Sequence, residues 1–164
     1  MEFSLQNITL TTSLKGECEA LGDNMYSIGD TRQADKYTKT TEVILNYIQA
    51  NYTEGNDVKE ALENLNDYDF DQIKPVIPAG GTKTGTVDDM ILREEVKSWC
   101  IRKKKYEDNM HKAYALILGQ CTEGLKNKLQ SRKDWDNIKN KPIETLNAIK
   151  QITHNYQDSR YPIA

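Results

Sequence analysis

The basic run in the chain is Arg102-Lys103-Lys104-Lys105, extended on either side by Arg93, Lys97 and Lys112. Beside it stand Trp99 and Tyr106, and together these are the groups that hold single-stranded nucleic acid: cations for phosphates and aromatic faces for stacked bases. The same residues also suit a solvated helix face whose aromatics turn inward, and their spacing leaves both readings open. A sparser basic set, Lys126, Lys128, Arg132 and Lys133, is a weaker candidate of the same kind. Gly80-Gly81-Thr82-Lys83-Thr84-Gly85-Thr86 has the small residues and lysine of a phosphate cradle. The Gly-Lys-Ser/Thr ending is missing, however, and no apolar strand feeds the segment, so it reads as a flexible linker.

Catalytic chemistry has few candidates. His111 follows Glu107 by four residues and Asp108 by three, and Cys121 with His154 is a conceivable nucleophile and base. No nucleophile elbow accompanies them. Asp30-Thr31 is followed by Arg32 rather than by the glycine of an aspartic protease. A zinc knuckle needs three cysteines and a histidine packed closely, whereas Cys18, Cys100 and Cys121 lie far apart. The expectation is no catalysis, no cofactor, no metal and no small-molecule substrate, with the three thiols reduced and partly buried. Asn7-Ile8-Thr9 and Asn51-Tyr52-Thr53 match the N-glycosylation pattern. The start lacks the basic and apolar regions of a secretory signal, which makes a cytoplasmic protein the expectation and those matches accidental.

The elements that must position these groups follow from composition and periodicity. The chain has 164 residues, 37% hydrophobic and 29% charged, with a mean hydropathy of -0.76. That is room for one domain with an economical core, and no run is long and apolar enough to span a bilayer. The net charge of -3 divides unevenly: residues 1–81 carry 6 Lys and Arg against 14 Asp and Glu, and residues 82–164 carry 16 against 11. An acidic first half and a basic second half permit attraction between copies or a polyanionic partner for the second half.

Phe3, Leu5, Ile8 and Leu10 alternate loosely, so residues 1–30 read as an irregular arm with a short extended stretch. Asp30 suits an N-cap, and Ala34, Tyr37, Val43, Ile44, Tyr47 and Ile48 predict a helix over 31–51, closed by Gly55 and Asn56. Asp57 caps a shorter helix bearing Val58, Ala61, Leu62 and Leu65, which completes an N-terminal helical part over 31–66. Pro75, Pro78, Gly80, Gly81 and Gly85 make 67–86 a linker or large loop. Residues 87–164 form a C-terminal helical part that shares one core with the first. It opens after Thr86 with Val87, Met90, Ile91, Trp99 and Cys100, then Tyr106, Met110, Ala113, Tyr114, Ile117 and Leu118, as one helix or as two meeting near 102–105. Gly119 and Gly124 suggest a break before a short helix with Leu125 and Leu129, which ends before Trp135. Pro142 begins a last helix with Ile143, Leu146, Ile149, Ile152 and Tyr156, stopped by Pro162. The fold class is all-α, with five or six helices.

The segment from Tyr106 to Thr122, with its Leu118-Gly119-Gln120-Cys121-Thr122 ending, resembles the Gag protein of copia-type LTR retrotransposons. Gly29 to Thr41 is similar to that family's N-terminal helix. Leu125 to Leu129, Trp135, and Ile143 to Tyr156 are similar to the helices after its Gly-Gln-Cys segment. The resemblance covers roughly residues 14–164. It implies a capsid-like helical domain without catalytic residues, which self-assembles through helix contacts into a homo-oligomeric shell packaging the element's RNA. It also implies that Gly119, Gln120 and Cys121 form a tight helix-to-helix junction, with glycine allowing close approach, cysteine buried and glutamine hydrogen-bonding across the turn. The family's further helices and zinc-knuckle segment do not follow Ala164, so the chain is expected to be a fragment or remnant whose own RNA binding is weak. The expected interface is the exposed part of helices 31–51 and 142–159, acidic surface meeting basic surface between copies. Two alternatives accompany this reading: a single-stranded nucleic-acid-binding module built on 102–105, and a monomeric Gag-derived interaction domain.

Overall fold

The structure of the protein, a computed structural model, describes residues 14–160. Phe3 to Leu10 of the expected arm, the Asn7 sequon, the side chain of Tyr156 and Pro162 lie outside the described part. Among the described residues the fold is all-α, with six α-helices and one 3-10 turn. No helix among them is long and apolar enough to cross a membrane.

Helix α1 spans Gln33–Asn51 and α2 spans Gly55–Asn64. Asp30 starts α1 from outside it: its carboxylate accepts from Arg32 N at 2.9 Å and pairs with Lys36 Nζ at 2.7 Å, and its carbonyl accepts from Gln33 N. The helix therefore begins later than the expected 31. Gly55 opens α2 instead of closing α1, because a Cβ there would stand 2.4 Å from the Ile48 carbonyl oxygen. Glu54, in the left-handed region, makes the sharp turn, and Asp57 sits within the first helical turn rather than capping it. Leu65, also left-handed, ends α2 while Asn66 N donates back to Ala61 O, a Schellman-type close.

A strap then runs along residues 66–86. Its 3-10 turn, Phe70–Ile73, anchors it through buried Phe70, and Gly80, Gly81 and Gly85 take positive φ in the loop that follows. Thr86 caps the next helix as expected, its hydroxyl accepting from Asp89 N at 3.2 Å. That helix, α3, is unbroken over Val87–Gly119, 33 residues and about 50 Å long. After it come α4 (Glu123–Gln130, capped by Thr122), the single turn α5 (Trp135–Ile138) and α6 (Pro142–Arg160). Gly124 lies inside α4 and does not break it.

Helix α6 is the hub, packing against α1, α2, α3, α4 and α5. Ile143, Leu146, Ile149 and Ile152 are buried, as the spacing predicts. They meet Ile44 and Ile48 of α1, Val58 and Leu62 of α2, Ile117 of α3, and Leu125 and Leu129 of α4 in one hydrophobic cluster. Buried polar groups in this seam are satisfied: Gln33 Nε2 donates to Thr153 O at 2.6 Å, and Thr145 Oγ1 donates to Ile138 O at 3.1 Å.

Candidate functional site

The basic run lies midway along α3, and its members have different surroundings. Arg102 donates to both carboxylate oxygens of Asp57, at 2.7 and 2.8 Å, and to Tyr68 Oη at 3.0 Å, with its guanidinium over the Tyr68 ring. Asp57 is buried on α2, so this bidentate pair joins α2, the strap and α3, and its hydrogen bonds raise the Arg102 pKa further above the usual value. Tyr106 is buried. Its hydroxyl donates to Asp67 Oδ1 at 2.9 Å and accepts from Tyr68 N at 3.2 Å, and burial drives its pKa upward. Trp99 Nε1 donates to Phe70 O at 2.9 Å, and the indole ring is covered by the ammonium groups of Lys74 and Lys103 at 5.8 and 5.2 Å.

Arg102, Trp99 and Tyr106 thus fasten the strap to α3: Tyr106 is buried and Arg102 is engaged by Asp57, whereas Trp99 is half-buried with Lys103 over its ring. Lys103 and Lys104 are exposed and Lys105 half-buried, an arrangement that can attract a polyanion by charge. The Asp57–Arg102 pairing was not readable from spacing, since 45 residues separate the two.

Gly119, Gln120 and Cys121 form a clasp for the segment that precedes α1. Gln120 is fully buried; its side chain accepts from Cys18 N at 3.0 Å and donates to Asn24 O at 2.8 Å. Glu17 N donates to Gly119 O, Tyr26 N to Gln120 O and Thr122 N to Tyr26 O, so Tyr26 and Cys121 make an isolated parallel β-bridge. A Cβ on Gly119 would stand 2.8 Å from Glu17 Oε2, and one on Gly16 would stand 2.1 Å from Gln120 Oε1. The glutamine thus reaches about a hundred residues back along the chain instead of across its own turn, and described residues 14–30 of the expected arm are irregular but docked.

Among the described residues no hydrogen bond joins Cys121 to His154. Burial pushes the Cys121 thiol up to about 12, leaving it protonated at neutral pH, and its Sγ lies 3.4 Å from Ile117 O. His154 packs edge-on against Tyr37 with its Nδ1 2.8 Å from Lys150 O, and His111 is exposed. Among the described residues no group of three or more His, Cys, Asp or Glu is arranged to hold a metal ion.

The surface departs most from expectation along the first half of α3. Val87 is 70% exposed, Met90 62%, Ile91 50% and Ile101 60%. Asp89 is the sole buried residue of α3 before Tyr106. The strap residues Ile73, Val76 and Ile77 are exposed as well. An open groove of about 710 Å³ lies between strap and helix, lined by Ile73, Pro75, Met90, Ile91, Ser98 and Trp99 among others. None of the large exposed apolar residues lies on α1 or on the described side chains of α6, the two helices expected to form an interface. Periodicity placed Val87, Met90 and Ile91 on a helix without saying what covers them, and Glu94, Ser98 and Lys105 share the stripe of Val87, Ile91 and Ile101.

Comparison with known protein families, curated proteins and solved structures finds no match to this chain.

Proposed function

We propose that the chain is a non-enzymatic, Gag-like structural protein whose helical domain self-associates in the manner of a capsid and packages RNA of a retrotransposon. The observation that carries this reading is the apolar face on the first half of α3, which nothing among the described residues covers. Monomeric proteins seldom leave a continuous apolar patch rimmed by charge unless it is an interaction site. Fully covering one such side chain contributes about 1.5–3 kcal/mol, against an association cost of about 4–15 kcal/mol. Val87, Met90, Ile91 and Ile101 from each of two copies are enough for a concentration-dependent contact. The resemblance in the Gly119-Gln120-Cys121 region supports a capsid-like domain in particular. RNA would be held weakly through Lys103, Lys104 and Lys105.

The test is size-exclusion chromatography with light scattering across protein concentration, at low and high salt, with and without a short RNA. Oligomers forming without RNA are the expected result. A monomer throughout would overturn the reading, and a monomer that shifts only with RNA would favour the nucleic-acid module.

A further inference from the structure

The exposed stripe of α3 carries charge in an order that suggests its occupant. Val87, Ile91, Glu94, Ser98, Ile101 and Lys105 follow one another in steps of four, three, four, three and four, which places them on one helix face. Acidic side chains cluster toward the N-terminal part of this stretch, at Asp88, Glu94 and Glu95, and basic ones at its end, from Arg102 to Lys105. Of the other two cations in this stretch, Arg93 is held by Asp89 at 3.1 Å and Lys97 lies between the acidic and basic ends. Glu94, Glu95, Lys104 and Lys105 take no ion-pair partner among the described residues. A nucleic acid or a uniformly acidic peptide laid along this face would meet carboxylates at one end, and a uniformly basic peptide would meet lysines at the other. A surface with both signs in sequence is complementary to itself reversed.

The geometry points to an antiparallel pairing of α3 with α3 of a second copy about a two-fold axis, acidic part against basic part. This inference rests on the self-association proposed above and names the surface and orientation. Around the axis, Glu94 of one chain faces Lys105 of the other, and Ser98 faces Ile101. The steps between these four positions read the same in both directions, so one alignment satisfies both halves. Serine near the crossing lets the helices approach closely. An isologous contact of this kind closes on itself and needs a single patch on each molecule. In this register Ile91 of one chain faces Asp108 of the other and Val87 faces Lys112, so the seam runs over residues 87–112, about 38 Å of helix, and with few apolar pairs its contact should be weak and salt-sensitive.

Complementary charge reversal in the full chain tests it. One variant carries Glu94→Lys and Glu95→Lys, a second carries Lys104→Glu and Lys105→Glu, and a third carries all four changes. All four positions lie outside the core, and far-UV circular dichroism checks that each variant is folded. Sedimentation velocity should show the first two self-associating at least tenfold more weakly than wild type. Their equimolar mixture, and the third variant alone, should recover wild-type association. If one two-site variant fails to fold, the other still decides the matter, because each by itself places like charges opposite one another across the two-fold axis. Wild-type association unaffected by the two-site reversals, or lost in the four-site variant, would overturn the pairing while leaving self-association intact. A monomeric wild type would overturn both.

Discussion

The two halves of α3 belong to one uninterrupted helix and have opposite relations to the rest of the molecule. From Tyr106 to Gly119 its inner face is sealed: Tyr106, Asn109, Ala113, Ile117 and Gly119 are buried, and Asn109 Nδ2 donates to Thr53 O at 2.7 Å. From Val87 to Ile101 the large apolar residues Val87, Met90, Ile91 and Ile101 face outward, and the flank turned to the strap is fixed mainly by polar contacts, those of Asp89 and Trp99. The difference teaches that an amphipathic pattern specifies a helix with an apolar side, while what covers that side depends on the rest of the chain. A single residue type can therefore be essential to folding in one half and dispensable for it in the other.

The sharpest way to break this comparison is to make the same substitution in both halves. Ile117→Ala should cost about 2–5 kcal/mol, since the residue is fully buried and its loss leaves a cavity. Ile91→Ala should stay within about 0.5 kcal/mol of wild type and lower only self-association. Thermal unfolding followed by circular dichroism at low protein concentration measures both, and equal destabilisation would abolish the distinction.

A smaller effect is expected at the boundary between the halves. Arg102→Ala strands the buried Asp57 carboxylate and should cost about 3 kcal/mol, the low end for a broken buried pair because Arg102 itself is 38% exposed. Lys104→Ala, two residues on and exposed, should change stability by no more than about 0.5 kcal/mol. Urea titration separates them. Equal effects would show that the basic run is a uniform surface patch after all.

The least effect belongs to the N-terminal end of the first half of α3. The Thr82 hydroxyl at 2.9 Å, helped by the Gly85 amide and Arg93, holds the Asp89 carboxyl below the usual carboxylate range. A lowered native value means that this cap stabilises the loop above the ordinary value of 3.8 and fails as pH falls through the lowered one. Hydrogen exchange at the Gly85 amide should accelerate relative to its intrinsic rate on acidification and in Asp89→Asn at neutral pH, with Ile117 and its neighbours still protected. Loss of protection throughout the protein would mean that the two halves are not independently stabilised.

Much of the fold was legible where local chemistry decides it. Thr86 and Pro142 mark the helix starts, and the Ile143, Leu146, Ile149 and Ile152 stripe is buried as read. The starts of α1 and α2 were misjudged because acceptor side chains at Asp30 and Asp57 looked like caps, whereas one acts from a preceding turn and the other is taken by Arg102. The roles of Gln120 and Arg102 depend on partners 102 and 45 residues away, and no spacing rule selects among the many distant polar groups a side chain can reach. The inward turn of Tyr106 was an open alternative that only its contacts resolve, and Trp99 is half-buried with its indole N–H held by Phe70 O.

The clasp around Gln120 also bears on the order in which the protein can be made. The Cys18 amide, the Asn24 carbonyl and the backbone of Tyr26 emerge early from the ribosome, yet the groups that hold them are supplied by residues 120–122, and the Gln33 side-chain amide waits for Thr153. A nascent chain that has reached only the end of α2 possesses none of these bonds. The docking of residues 16–26 is thus completed only by long-range closure after residues 120–122 have been made, a topology that slows the final step.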